Sequence, residues 1–351
     1  MSINHAFDFF IQWHLTERCN LRCKHCYQED RKIEEMTLPG IKRVVGNVSD
    51  MLESWAEMYD IAFSRSFNVT GGEPFLRKDI FSILGEIKKK GFDIHILSNG
   101  ILIDREKAKR LSDMAVKGVQ ISIEGPEEVH EAIRGKGSFS QSLKGIEHLL
   151  YAGITVTLNV TLSLINADYF LDMITLATSV GAQRLGFSRL VPSGRGTELL
   201  DRMLKKERVK ELYKAIFSKN IAGLEIVTGD PIASQLHKSA DEDERDSIPK
   251  GGCAAGVSGL TFLPDGTITP CRRLPIPIGN VLQDELRDIW ATSKVLGAIR
   301  NRKRYKGKCG RCKRWSYCRG CRAIAYAYAQ SRGKDDFLAE DPQCFIEVAP
   351  G

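Results

Sequence analysis

The sequence predicts an α/β protein, a partial (βα)6 TIM-like barrel followed by a small cysteine-rich α+β C-terminal domain. Three observations carry this expectation. Through the first 200 residues, helical patterns end in glycine and are followed at once by apolar or β-branched strands, at spacings of about 30 residues. After Lys219 that rhythm stops, and from Gly251 cysteine, glycine, proline and arginine replace it. Seven of the ten cysteines lie beyond this change, which marks a domain boundary.

The strands begin with Phe10–Leu15 and Ser66–Thr70. Gly91 then leads into Phe92–Leu97, Gly118 into Val119–Ile123, Gly153 into Ile154–Leu158 and Gly181 into Ala182–Phe187. Glycine suits a junction where a helix C-cap turns left-handed. Ile41, Val44, Val45, Val48, Leu52 and Trp55 mark the apolar face of one intervening helix, and Ile80, Ile83, Leu84 and Ile87 that of the next. Right-handed βα units of this kind build a parallel sheet, and six of them fall short of a closed eight-fold barrel. The barrel is expected over residues 1–205 and the cysteine-rich domain over residues 251–351. Residues 206–250 bridge them, with a helix at Glu207–Lys219 and a charge run at Asp241–Asp246 that reads as an exposed loop.

No run of apolar residues is long enough to span a bilayer. Met1–Ile11 lacks a basic segment leading into an apolar stretch, so a secretory signal is not expected and the cytoplasm is the expected compartment. Ten cysteines there point to metal or redox chemistry rather than disulfides. The net charge of +7 is uneven: Asn301–Arg322 holds ten Lys or Arg, no acid and four cysteines. Nucleic-acid binding is one reading of such a tract. Stabilisation of an anionic metal cluster and docking of an acidic electron donor fit the interleaved cysteines better.

Cys19, Cys23 and Cys26 follow the first strand at C-x3-C-x2-C spacing. One loop can thus set three thiolates on three corners of a cuboidal cluster and leave the fourth iron open. Zinc would want a fourth ligand nearby, for which only His25 or His14 offers itself. The place matters too, because chemistry in βα barrels gathers at the C-terminal ends of the strands.

This triplet resembles the signature of the radical S-adenosylmethionine (SAM) superfamily, with His25 where an aromatic is usual. The resemblance implies a 4Fe–4S cluster whose open iron chelates SAM, and reductive release of a 5′-deoxyadenosyl radical. Further pieces match in order. Gly71-Gly72-Glu73-Pro74 is similar to the family's glycine turn, with Glu73 implied as acceptor for the SAM ammonium. Ser98-Asn99-Gly100 ends the third strand, and Ser122 and Glu124 end the fourth at the place of a ribose-binding pair. Arg134 resembles an arginine that meets the SAM carboxylate, and Asn159, with the segment near Leu190 and Val191, falls close to adenine.

Beyond the boundary, Cys253, Gly266 and Cys271 precede Cys309-x2-Cys312-x5-Cys318-x2-Cys321 and a last Cys344. Taken bare, the quartet Cys309–Cys321 also fits a zinc ribbon. With the barrel motifs, the whole set resembles the SPASM domain, which implies two auxiliary 4Fe–4S clusters and three in all. The chain departs once, with two residues rather than three between Cys318 and Cys321. By resemblance Cys309, Cys312, Cys318 and Cys344 hold the distal cluster and Cys253, Cys271 and Cys321 the proximal one. Three clusters with SAM on the first call for eleven cysteines, one more than the chain has, so one auxiliary iron lacks a thiolate. Sulfatase-maturing relatives place an aspartate after the second SPASM cysteine; here Arg272 follows, which disfavours that activity.

The family implies a maturase that abstracts hydrogen from a ribosomal peptide or protein to form a thioether, C–C or related bond. The alternative is radical modification, such as oxidative decarboxylation, of a tetrapyrrole or other small cofactor precursor. A strand starting by residue 10 leaves no room for a preceding peptide-recognition domain, so a peptide would need a separate recognition protein or strand addition to a sheet edge. The electron donor is expected to be an acidic protein such as flavodoxin or ferredoxin. A non-enzymatic iron–sulfur or zinc scaffold is the reading from another class, and a scaffold has no use for the SAM-type motifs.

Overall fold

The computed structural model describes residues 6–29, 31–236 and 248–348. The charge run Asp241–Asp246 lies outside the described residues.

Six parallel strands form the barrel: β1 (Phe7–His14), β2 (Phe63–Thr70), β3 (Asp93–Ser98), β4 (Gly118–Ser122), β5 (Val156–Leu162) and β6 (Arg184–Arg189). The helices between them are α1 (Leu38–Tyr59), α2 (Ile80–Lys89), α3 (Arg105–Asp113), α4 (Glu127–Arg134), α5 (Ser138–Tyr151) and α6 (Phe170–Val180). α1 starts where Thr37 accepts from the Gly40 amide with Pro39 in the first turn, and its Ile41, Val44, Val45, Val48 and Leu52 are buried, as their spacing predicts. Gly91, Gly153 and Gly181 take positive φ where the helices end. Gly118 does not; it opens β4, and Ala115 makes the left-handed turn instead.

Each strand alternates. Phe9, Ile11, Trp13, Phe67, Val69, Ile94, Ile96, Val119, Ile121, Val156, Leu158, Leu185 and Phe187 are buried in one core with the helices. The residues between them, Gln12, Asn68, His95, Gln120 and Thr157, line a polar lumen. Register brings Ser122, the end of β4, opposite Asn159, and Asn159 opposite Gly186, with β5 running on to Leu162 rather than ending at Asn159. A Cβ on Gly186 would lie 2.9 Å from the Asn159 Oδ1, so the missing side chain makes room for that amide.

The sheet is larger than expected in both directions. After α7 (Lys206–Phe217), where the βα rhythm fades from the sequence, β7 (Glu225–Val227) pairs in parallel with β6. On the other edge β8 (Gly259–Phe262) pairs in parallel with β1, followed by antiparallel β9 (Thr267–Thr269) and β10 (Gly279–Asn280). The order is β10-β9-β8-β1-β2-β3-β4-β5-β6-β7, so the sheet runs unbroken across the boundary expected at residue 251. Trp290 from the C-terminal region packs on Phe9 and Trp55, at centroid distances of 5.2 and 5.6 Å. The remainder surrounds two small cores, one of Tyr305, Cys309, Trp315 and Leu338, the other including Val191, Leu274, Cys321 and Ile324.

At the end of β6, fully buried Arg189 holds Asp230 on one side and Asp341 and Gln343 on the other. Tyr213 donates to Asp230 at 2.6 Å, and Asp341 accepts the Cys321 amide at 2.8 Å. Burial works against ionisation of Asp341, but the Arg189 charge and its hydrogen bond hold the carboxyl below the usual range. Among the described residues, no helix is long and apolar enough to cross a membrane.

Candidate active site and cluster-binding cysteines

The loop after β1 carries Cys19, Cys23 and Cys26, and backbone bonds pin it on three sides. The Gly72 and Glu73 amides donate to the Thr16 and Arg18 carbonyls at 2.7 and 2.8 Å. The Lys24 amide donates to Ile133 at 2.9 Å and the Gly196 amide to Cys26 at 3.0 Å. A Cβ on Gly72 would stand 2.1 Å from the Arg18 carbonyl oxygen, so only glycine lets the two turns meet. Asn99 reaches the same loop, its amide nitrogen donating to Asn20 Oδ1 at 2.8 Å.

All three thiols line one cavity at the C-terminal ends of the strands, with His25, Gly72, Ser98, Ser122, Arg134 and Asn159. Two expected contacts are placed differently. Glu73 does not line the cavity: it is fully buried, and its carboxylate accepts from the Phe75 amide at 3.2 Å, the Asn99 amide at 2.9 Å and the Ser98 hydroxyl at 2.9 Å. Burial pushes its carboxyl up to about 7 against the pull of those donors. Glu124 is also buried behind the wall, accepting from Arg134, from His25 Nε2 at 3.0 Å and from the Thr161 amide at 2.8 Å. Burial opposes its charge, yet Arg134 and His25 hold the carboxyl well below the usual range. Both carboxylates therefore orient the groups that face the cavity: Glu73 holds Ser98 and Asn99, and Glu124 holds His25 and Arg134. Arg134 Nη1 lies 3.7 Å from Cys23 Sγ.

Other lining residues were not singled out as a site from sequence, among them Tyr27, Gln28, Thr161, Ser188, Arg195, Arg272 and Arg273. Arg272 and Arg273 directly follow Cys271, which is the one signal that could have marked them.

The residues fit the groups that the motifs imply. His25 Nδ1 and Arg273 Nε are buried without a hydrogen-bond partner beside the cavity, polar atoms left for a ligand to satisfy. Burial pushes the thiols of Cys318 and Cys321 up to about 12, so metal binding is what would turn them into thiolates. Cys309, Cys312, Cys318 and Cys344 line one small cavity, where Gln235 Nε2 stands 3.5 Å from Cys318 Sγ and 3.3 Å from Cys344 Sγ. Cys321 is not in that group: it feels the charge of Cys253 and of Arg273, which is also beside Cys271. Among the described residues no three His, Cys, Asp or Glu side chains converge on one ion.

Comparison with known proteins agrees with this geometry. Residues 13–177 match the model of the Radical SAM superfamily, and residues 253–322 that of the SPASM iron–sulfur cluster-binding domain. The chain is 30% identical over 348 residues to the AdoMet-dependent heme synthase of Nitratidesulfovibrio vulgaris, covering 95% of this chain and 91% of that one. It is 31% identical to the mycofactocin maturase MftC of Mycobacterium tuberculosis, over 90% and 78% of the two chains. The crystal structure of Streptococcus suis SuiB bound to S-adenosylmethionine shares the fold, with a TM-score of 0.76, 16% identity and coverage of 97% and 78%. The chain therefore belongs to the radical SAM superfamily, among its members with a C-terminal SPASM domain. It is an enzyme of that family, whose cofactors are SAM with a 4Fe–4S cluster and further iron–sulfur centres in the SPASM domain.

Proposed function

We propose that this enzyme abstracts hydrogen from a carboxylate-bearing tetrapyrrole and modifies its propionate side chains, for example by oxidative decarboxylation, in which CO2 leaves and a SPASM iron–sulfur centre would accept the remaining electron. The charge of the active cavity carries the reading: Arg195, Arg272 and Arg273 line it beside the Glu124-paired Arg134, and no Asp or Glu is among its described lining residues. Such a wall attracts a polyanionic substrate and disfavours a cationic one. Similarity to a heme synthase over nearly the whole of both chains supports a tetrapyrrole within that class. A peptide is the second reading, favoured by the likeness to MftC, and it would bring a separate recognition protein.

When bound, SAM and its cluster supply a 5′-deoxyadenosyl radical by reductive cleavage of the sulfonium. Cys19, Cys23 and Cys26 would hold that cluster. The Gly72 backbone, Ser98, Ser122, Asn159, His25 and Arg134 would bind and orient SAM, while Glu73 and Glu124 fix those groups from behind. Cys309, Cys312, Cys318 and Cys344 would hold a distal auxiliary cluster. Cys253, Cys271 and Cys321 would hold a proximal one, with a position left for water, a carboxylate, a histidine or a substrate thiolate.

The basic tract divides. Arg319 and Arg322 are buried and tie down carbonyls of Gly251, Cys253, Phe337 and Ala339. Lys303, Arg304, Lys306, Arg311 and Lys313 are exposed and would dock an acidic electron donor such as flavodoxin or ferredoxin.

The test is to reduce the anaerobic enzyme with SAM and either iron coproporphyrin III or candidate peptides. The expected result is substrate-stimulated 5′-deoxyadenosine and a porphyrin product that has lost carboxylate by mass spectrometry. Stimulation by a peptide and by no porphyrin would replace this reading with the second.

A further inference from the structure

Arg272 occupies an unusual position. It lines the active cavity; it also lines the polar lumen beside Gln12, Asn68, His95 and Gln120, and an outer cavity formed with Glu17, Tyr27, Pro192 and Ala327. Three cavities thus share this one residue as part of their walls. The turn that carries it is fixed: the Leu274 amide donates to the Cys271 carbonyl at 2.9 Å, and Leu274 is fully buried in the second small core.

Its guanidinium makes no hydrogen bond or ion pair with the described residues. Among the described residues its ring contact is with the face of half-buried Tyr27, 5.7 Å from the centroid, a contact that leaves the in-plane N–H groups free. Arg273 beside it has a single long bond, Nη1 to the Arg189 carbonyl at 3.4 Å, and its buried Nε has no partner. Donors in this state are left for an acceptor that arrives from outside.

Two roles compete for such a pair. Cations next to an anionic cluster stabilise it, and Arg273 fits that role, since Cys321 and Cys271 are the charges it feels most. Arg272 lies on another side: its charge is felt by His14 and Tyr27, which line the outer cavity with it. The glutamate nearest in that direction, Glu17, is taken by Gln28 Nε2 at 2.9 Å.

We propose that Arg272, assisted by the free Nε of Arg273, is the subsite that clamps a substrate carboxylate, of propionate type, against the segment carrying Cys271. The inference rests on the tetrapyrrole reading for the substrate's identity and on the side-chain geometry for the subsite. Bidentate donation by a planar guanidinium is the arrangement that selects a carboxylate over an amide or ester.

The experiment uses the anaerobic holoenzyme and two readouts besides turnover. In the first, phenylglyoxal labelling of Arg272 and Arg273 is followed by peptide mass mapping with propionate or propionamide present, and exposed Arg105 serves as control. Propionate is expected to slow labelling at Arg272 and not at Arg105, and propionamide to slow neither. Equal protection by both, or by neither, overturns the subsite without requiring any variant to fold. In the second, binding of coproporphyrin III and of its tetramethyl ester is measured by fluorescence. The parent should prefer the acid; Arg272→Gln should weaken acid binding about 10–100-fold, and Arg272→Lys should restore part of it. Acid and ester bound equally well by the parent would sink the clamp and leave the tetrapyrrole reading standing. Protection by propionate without porphyrin binding would keep the clamp and remove the tetrapyrrole.

Discussion

Replacing Glu73 by alanine separates a ligand contact from a structural strut. Its fully buried carboxylate accepts from the Phe75 and Asn99 amides and from the Ser98 hydroxyl. Truncation orphans two buried backbone donors at about 1–3 kcal/mol each, hence a loss of about 2–6 kcal/mol. Opposing this is relief of a buried charge. Burial raises the carboxyl from 4.5 to about 7, which corresponds to about 3 kcal/mol against the ionised form. Because the folded value lies above the unfolded one, the stability from Glu73 is fully present below about pH 4.5 and is lost as pH rises through about 7. The alanine variant has no such dependence. Its deficit relative to the parent should therefore be larger at pH ~6 than at pH ~8, by about 1 kcal/mol. Anaerobic urea denaturation followed by tryptophan fluorescence reads the deficit, and calorimetry reads SAM affinity. A fall in SAM affinity with an unmoved urea midpoint at both pH values would refute the strut and restore the direct contact implied by the motif.

Three further outcomes follow from the site. Cys19→Ala, Cys23→Ala and Cys26→Ala should each abolish 5′-deoxyadenosine release while the auxiliary iron stays, about eight atoms per chain if both SPASM clusters are complete; near-parent release from any of them would remove the triplet from the chemistry. Arg189→Met leaves Asp230 and Asp341 buried without their cation. It should cost about 3–5 kcal/mol in the same denaturation and loosen the iron held through Cys321, and a neutral result would show the network to be dispensable. Gln235→Leu removes a donor from Cys318 and Cys344. Loss of a hydrogen bond to cluster sulfur disfavours the reduced, more negative state, so the distal potential should fall in an EPR-monitored titration; a rise would contradict the assignment.

The barrel was legible because its signals are local. A helix stripe such as Ile41–Val44–Val48 and a capping glycine such as Gly181 report their own conformation whatever surrounds them. Strands that depend on a partner far away left no such mark. β7 is three residues long, and β8 is a short buried run whose apolar character would suit a helix equally well. The site divides in the same way. The triplet and Gly72 were visible through spacing and backbone need. The burial of Glu73 and Glu124 was not, since a carboxylate at a strand end reads alike whether it faces the cavity or a backbone amide. Arg272 and Arg273 were missed as site residues because their meaning comes from the β9–β10 connection, which brings the segment after Cys271 to the wall of the active cavity.

The pairing of β8 with β1 has a consequence for how the chain is made. Phe10 finds its neighbour Gly259 only after most of the polypeptide has been synthesised, so this contact is among the most non-local in the sheet and closes late. Until then the outer edge of β1, flanked by Phe9, Ile11 and Trp13, offers unpaired amides and carbonyls to any passing strand. The same β1 ends at the loop of Cys19, Cys23 and Cys26. A nascent barrel thus presents its most aggregation-prone edge and its oxygen-sensitive thiols together, and the SPASM segment shields the edge as it docks.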